Sequence, residues 1–81
     1  MDRSQVRDEF VQIIKPYIKV QHPENITDKS RFIEDLNANS ARLVDIVLET
    51  EDHFQITIGD LEADSMQTVG DAVDLITSKR S

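Results

Sequence analysis

Cysteine is absent from these 81 residues, which excludes disulfides, a thiolate nucleophile and cysteine-based metal sites. Tryptophan is absent too, and glycine and proline number two each, which argues against both a disordered chain and a turn-rich β sandwich. No apolar run exceeds three residues, far short of a membrane span, and no signal-like segment opens the chain. A cytoplasmic location without a membrane span is the expectation. So short a chain has room for one small core, hence a single domain over residues 1–81.

Positive charge is scarce where negative charge is dense. The net charge is −7, yet residues 1–31 sum to +1, while residues 32–76 carry eleven acidic groups against the single Arg42. A phosphate backbone would be repelled by that segment, so nucleic acid is not an expected partner. Proteins with basic patches would be steered toward it, although a solvated acidic surface is the plainer explanation of a charge excess alone.

What is present is helical periodicity. Val6, Phe10, Ile13, Ile14 and Tyr17 form one apolar stripe, predicting a first helix over about Ser4–Val20 with a kink or an early end near Lys15, because Pro16 cannot donate a backbone hydrogen bond. Residues 21–38 read as a long connection anchored by Ile26, Phe32, Ile33 and Leu36. Asn39 is a fitting N-cap for a second helix to about His53. That helix carries a broad core face, Leu43, Ile46, Val47, Thr50 and Phe54. A second line, Ala41, Val44 and Leu48, lies beside Asp45 and Asp52. An apolar line among acids suits either a partner-docking surface or packing within a bundle.

Gln55–Gly59 alternates like a strand but has no second strand to pair with, so an extended loop plugged by Ile56 and Ile58 is expected. One helical turn at residues 60–65 follows. Thr68 and Asp71 then form a capping-box start for a last helix with Val69, Ala72, Val73 and Ile76 on one face and Lys79 and Arg80 at its end. The fold class is all-α: a small four-helix bundle of three longer helices and one short helix, without a heptad or patch demanding a dimer, so a monomer.

The segments Phe32-x-Glu34-Asp35-Leu36-x-Ala38-x-Ser40, Glu51-Asp52-x-Phe54, Gln55-Ile-Thr-Ile before Asp60, and Thr68-Val-Gly-Asp-Ala-Val73 together resemble the acyl carrier protein family from about Val6 to Ile76. The resemblance implies that Ser40 bears a 4′-phosphopantetheine arm, donated from coenzyme A by a phosphopantetheinyl transferase. Acyl groups would ride on the arm's thiol as thioesters. The chain itself would not be an enzyme; its partners would be acyl-loading and acyl-transferring enzymes with basic docking patches, met through Ala41, Val44, Asp45, Leu48 and Asp52. The strongly acidic middle suits an acyl carrier better than an aminoacyl or peptidyl carrier on the same fold.

Three positions depart from the family pattern. Asn39-Ser40-Ala41 stands for the usual aspartate-serine-leucine, and Arg42 stands where an acid is usual. These point to a specialised carrier serving a dedicated fatty-acid, lipid or polyketide-type pathway, with an unmodified carrier-like interaction module as the alternative. Leu61-Glu-Ala-Asp-Ser65-Met66 matches the attachment motif better locally, but only sixteen residues follow Ser65, too few for the elements that should come after it. Asp35-x-Asn37-x-Asn39 copies the start of a calcium loop, yet the glycine and the terminal glutamate of such a loop are missing: Ser40 and Ile46 stand there. His22 and His53 lie in separate segments without metal spacing.

Overall fold

The computed structural model describes residues 2–20 and 22–80. Four α-helices, α1 (Arg3–Ile14), α2 (Ser40–Phe54), α3 (Asp60–Ser65) and α4 (Val69–Arg80), enclose one core, with short 3-10 turns at Lys15–Tyr17 and Pro23–Asn25. The expected all-α bundle of three longer helices and one short helix is what the chain forms among the described residues.

Each helix starts where a side chain can satisfy its free amides. The Asp2 carboxylate accepts from the Gln5 N–H at 2.9 Å, and the Asn39 side-chain Oδ1 accepts from the Arg42 N–H at 2.9 Å. Thr68 and Asp71 cap α4 reciprocally: the Asp71 N–H donates to Thr68 Oγ1 and the Thr68 N–H donates to Asp71 Oδ2, each at 3.1 Å. On α3, Glu62 reaches back to the Gly59 N–H at 3.0 Å, one half of a capping box, since glycine has no side chain to return the bond.

The first helix does not reach Val20. It closes at Ile14, tightens into the 3-10 turn that contains Pro16, and is extended by Ile18, where φ is −118° and ψ 159°. Proline at 16 supplies no N–H for the next turn, so the ladder stops there.

Val6, Phe10 and Ile14 of α1, Ile46, Thr50 and Phe54 of α2, and Val69, Ala72, Val73 and Ile76 of α4 meet in the core. Leu43 and Val47 are only half-buried against it. The long connection contributes Ile26, Phe32, Leu36 and Ala38. Phe32 meets Phe10 edge-to-face, with centroids 6.0 Å apart. Ile33, expected among these anchors, is instead 53% exposed. Residues 31–36 make a single tight turn in which the Asp35 and Leu36 N–H groups both donate to the Arg31 carbonyl at 3.0 Å. A turn of that pitch sends Phe32 and Leu36, four apart, inward and Ile33 outward.

The connection is also sewn to the start of α4. Phe32 N–H donates to Gln67 O at 3.1 Å, and Val69 N–H to Ser30 O at 3.0 Å, bracketing an isolated antiparallel bridge between Arg31 and Thr68. Gly70 N–H donates to Asp28 O at 2.9 Å, and a β-carbon on Gly70 would stand 2.9 Å from that same oxygen, so no larger residue fits without moving the backbone. Asp28 further receives Arg3 at 2.9 Å and Arg7 at 3.2 Å. Ile58 is buried and Ile56 half-buried, so the Gln55–Gly59 segment plugs the core as a loop. Among the described residues, no helix is long and apolar enough to cross a membrane.

Candidate functional site

Ser40 is the first residue of α2 and is exposed. Asn39 immediately before it is extended, with φ −93° and ψ 177°, and caps the helix. The cap takes the Arg42 N–H, and the Leu43 N–H begins the helical ladder on Asn39 O at 3.0 Å. The amides of Ser40 and Ala41 therefore have no intrahelical acceptor, and they sit at the positive end of the helix dipole. An anion esterified at this hydroxyl meets a favourable field.

Below Ser40 opens a groove of about 640 Å³, in the size range of small-molecule sites. One wall is a single stripe of α2: Ser40, Leu43, Val44, Val47, Leu48 and Glu51. These residues fall at i, i+3, i+4, i+7, i+8 and i+11, which is one helical face. Phe32 and Ile33 of the long connection, with Ile58, Ala63 and Met66, complete the apolar lining, and Arg31, Glu34, Asp60, Asp64 and Gln67 add polar groups to it. The serine thus stands at one end of an apolar channel.

The five residues expected to face partners, Ala41, Val44, Asp45, Leu48 and Asp52, are all exposed on α2. Val44 and Leu48 are 59% and 58% exposed, so neither is packed into the bundle core. Ile33, beside them at the groove mouth, belongs to the same apolar surface. Arg42 lies near Tyr17 together with Glu49 and with Asp45 of the stripe, and Tyr17 donates its hydroxyl proton to Glu49 Oε1 at 3.3 Å. Partial desolvation, followed by the Glu49 charge, raises the Tyr17 phenol above its ordinary value.

Ser65 ends α3 rather than beginning a helix, and its hydroxyl donates to Glu62 O at 2.7 Å. The calcium-loop imitation dissolves on inspection of its three side chains. Asp35 accepts the Arg31 N–H at 2.8 Å, Asn37 donates to Lys19 O at 3.0 Å, and Asn39 caps α2. Among the described residues no group of three or more histidine, cysteine, aspartate or glutamate side chains could hold a metal ion. His53 pairs with Glu9 at 2.9 Å and His22 with Glu24 at 3.1 Å, in different parts of the molecule.

Two features escaped the sequence. The turn that exposes Ile33 has a signal, the four-residue spacing of Phe32 and Leu36. The bond from the Ile58 N–H to Glu51 Oε2, at 2.8 Å, has none, since it joins residues seven apart across a helix end.

A helical bundle with an exposed serine opening a helix at one end of a largely apolar groove has the build of a carrier protein. No family model matches the chain. It is 49% identical over 57 residues to an acyl carrier protein of Caulobacter vibrioides, covering 70% of this chain and 73% of that one. It is 36% identical over 73 residues to an acyl carrier protein of Wolinella succinogenes, covering 90% and 95%. The solved structure of an acyl carrier protein from Enterococcus faecalis superposes with a TM-score of 0.81 at 37% identity, over 98% of this chain and 99% of that one. The chain belongs to the acyl carrier protein family, and its role is that of an acyl carrier.

Proposed function

We propose that this chain carries acyl intermediates as thioesters on a 4′-phosphopantetheine arm esterified to Ser40, in a specialised fatty-acid, lipid or polyketide-type pathway of the cytoplasm. The observation that carries this reading is the coincidence at one residue of an exposed hydroxyl, two helix-start amides without intrahelical acceptors and the end of an apolar groove. The arm supplies the thiol that a cysteine-free chain lacks.

The residues divide the work. Asn39 holds the start of α2, so that the Ser40 hydroxyl and the first amides face a transferring enzyme together. The groove between α2 and Ile58, Ala63 and Met66 takes the acyl chain out of water. Tethering raises the effective concentration of cargo at each partner without catalysis by the carrier. The stripe of Ala41, Val44, Asp45, Leu48 and Asp52 offers apolar contact with acidic neighbours to enzymes bearing basic patches. A small residue at 41 narrows that contact just beside Ser40, which favours dedicated partners over a general one.

The test is the intact mass of the chain before and after incubation with coenzyme A and a broad-specificity phosphopantetheinyl transferase, beside Ser40→Ala and Ser65→Ala. A gain of one phosphopantetheine lost only in Ser40→Ala is the expected result. A gain lost only in Ser65→Ala would move the site to α3. No gain, with a known carrier modified in the same tube and with transferases from the chain's own source also inactive, would leave an unmodified interaction module.

A further inference from the structure

Glu51 is the one acidic side chain that α2 contributes to the groove wall among the described residues, and it stands at the end opposite Ser40. The two are eleven residues apart, about 16 Å of helix. Glu51 holds the chain that follows α2 with two different groups. Its carbonyl accepts the Ile56 N–H at 3.1 Å, and its carboxylate accepts the part-buried Ile58 N–H at 2.8 Å. Ile58 is itself buried and forms part of the groove wall. The carboxylate therefore pins that wall to the last of the α2 residues that line the groove.

We infer that Glu51 is a positioning residue that sets the longest alkyl chain the groove accepts, acting through its bond to the Ile58 N–H. The biological sense of this rests on the proposed acyl cargo at Ser40. A chain that advances to Glu51 must break the bond to Ile58 and leave a partly buried amide unpaired. That costs more than the burial of one further methylene returns. The stabilisation that a tethered chain confers should rise with length and then stop.

The absence of cysteine makes this testable without any transferase. Ser40→Cys provides a single thiol, which is joined by a disulfide to alkanethiols of increasing length. The urea midpoint of each conjugate is measured with Glu51, Glu51→Gln and Glu51→Ala. The midpoint is expected to climb with each methylene and level off at one length. Glutamine keeps an acceptor for Ile58 and keeps that length; alanine moves the levelling-off to chains longer by roughly two methylenes. Hydrogen exchange at the Ile58 amide, read on the Glu51 series itself, is expected to accelerate for chains beyond the limit, and this readout stands even if Glu51→Ala does not fold.

An alanine variant with an unchanged limit, a midpoint that never responds to length, or an Ile58 amide equally protected at every length would each overturn the inference. The mass experiment at Ser40 is scored separately. Loading without a length limit would sink the role of Glu51 alone, whereas a limit without loading would support that role and remove the proposed attachment at Ser40.

Discussion

At Gln55 the backbone turns left-handed, with φ 55° and ψ 51°, directly after α2. A β-carbon in that region is strained by roughly 1 kcal/mol, and glycine is the usual residue there. The glutamine side chain offsets part of this by donating to Asp52 O at 2.6 Å. Gln55→Gly is expected to stabilise the fold by about 0.5 kcal/mol, seen as a higher urea midpoint at unchanged slope. A lower midpoint would mean that the side-chain bond outweighs the strain. The other left-handed residue, Asn37 with φ 59°, offers no such gain, because asparagine tolerates the region and its amide is bonded to Lys19 O at 3.0 Å. Legibility at this scale follows the range of the interaction. Asn39, Thr68 and Asp71 were readable as caps because a cap acts over three residues. The Ile58–Glu51 bond and the fit of Gly70 against Asp28 were not, because each depends on where separate segments come to rest.

Among the α-helices of the described residues α3 is the shortest, at six residues, and a helix of that length is not stable alone. Glu62 supports it through two contacts: the carboxylate accepts the Gly59 N–H at 3.0 Å and pairs with Lys79 of α4 at 3.0 Å. The Gly59 amide first, and Lys79 second, hold the carboxyl below its ordinary value of 4.5. A depressed carboxyl contributes its stability above the unfolded value and loses it as the pH falls through the folded value. Acidification from neutral to below pH 4.5 should therefore erase the advantage of the parent chain over Glu62→Gln. Urea midpoints of both proteins across that range provide the check, and a gap that does not narrow would show that the charge of Glu62 contributes nothing. Element boundaries were legible where chemistry punctuates the chain, at Pro16, Asn39 and Thr68. Ile33 was misplaced because the turn at 31–36 has helical pitch inside a stretch with no helical run around it.

For the molecule as a whole, the separation of charge is the property that local structure does not explain. Residues 32–76 hold eleven acids and one base, and the exposed stripe of α2 with Asp45 and Asp52 lies within that span, close to the exposed Ser40. Fold class was legible from apolar periodicity alone. The groove was not, since its walls come from α2, α3 and the three segments that join the helices, and it exists only once they have packed. If the stripe is the surface that enzymes meet, attraction at long range should govern how fast the carrier is loaded, and salt should weaken it. The rate of Ser40 loading by a basic transferase is expected to fall steeply between low and physiological ionic strength. Reversing both charges, Asp45→Lys with Asp52→Lys, should slow loading at low salt by about tenfold or more and flatten its salt dependence. The substitutions lie on exposed helix positions, so the urea midpoint should change by no more than about 0.5 kcal/mol in equivalent stability. Replacing Leu48 by serine tests the apolar half of the same surface: it should weaken binding at every salt concentration, leaving the slope intact, because burial of a side chain is not screened. Loading indifferent to salt and to both variants would place the enzyme-facing surface elsewhere on the bundle and leave the acidic stripe as a solvated face.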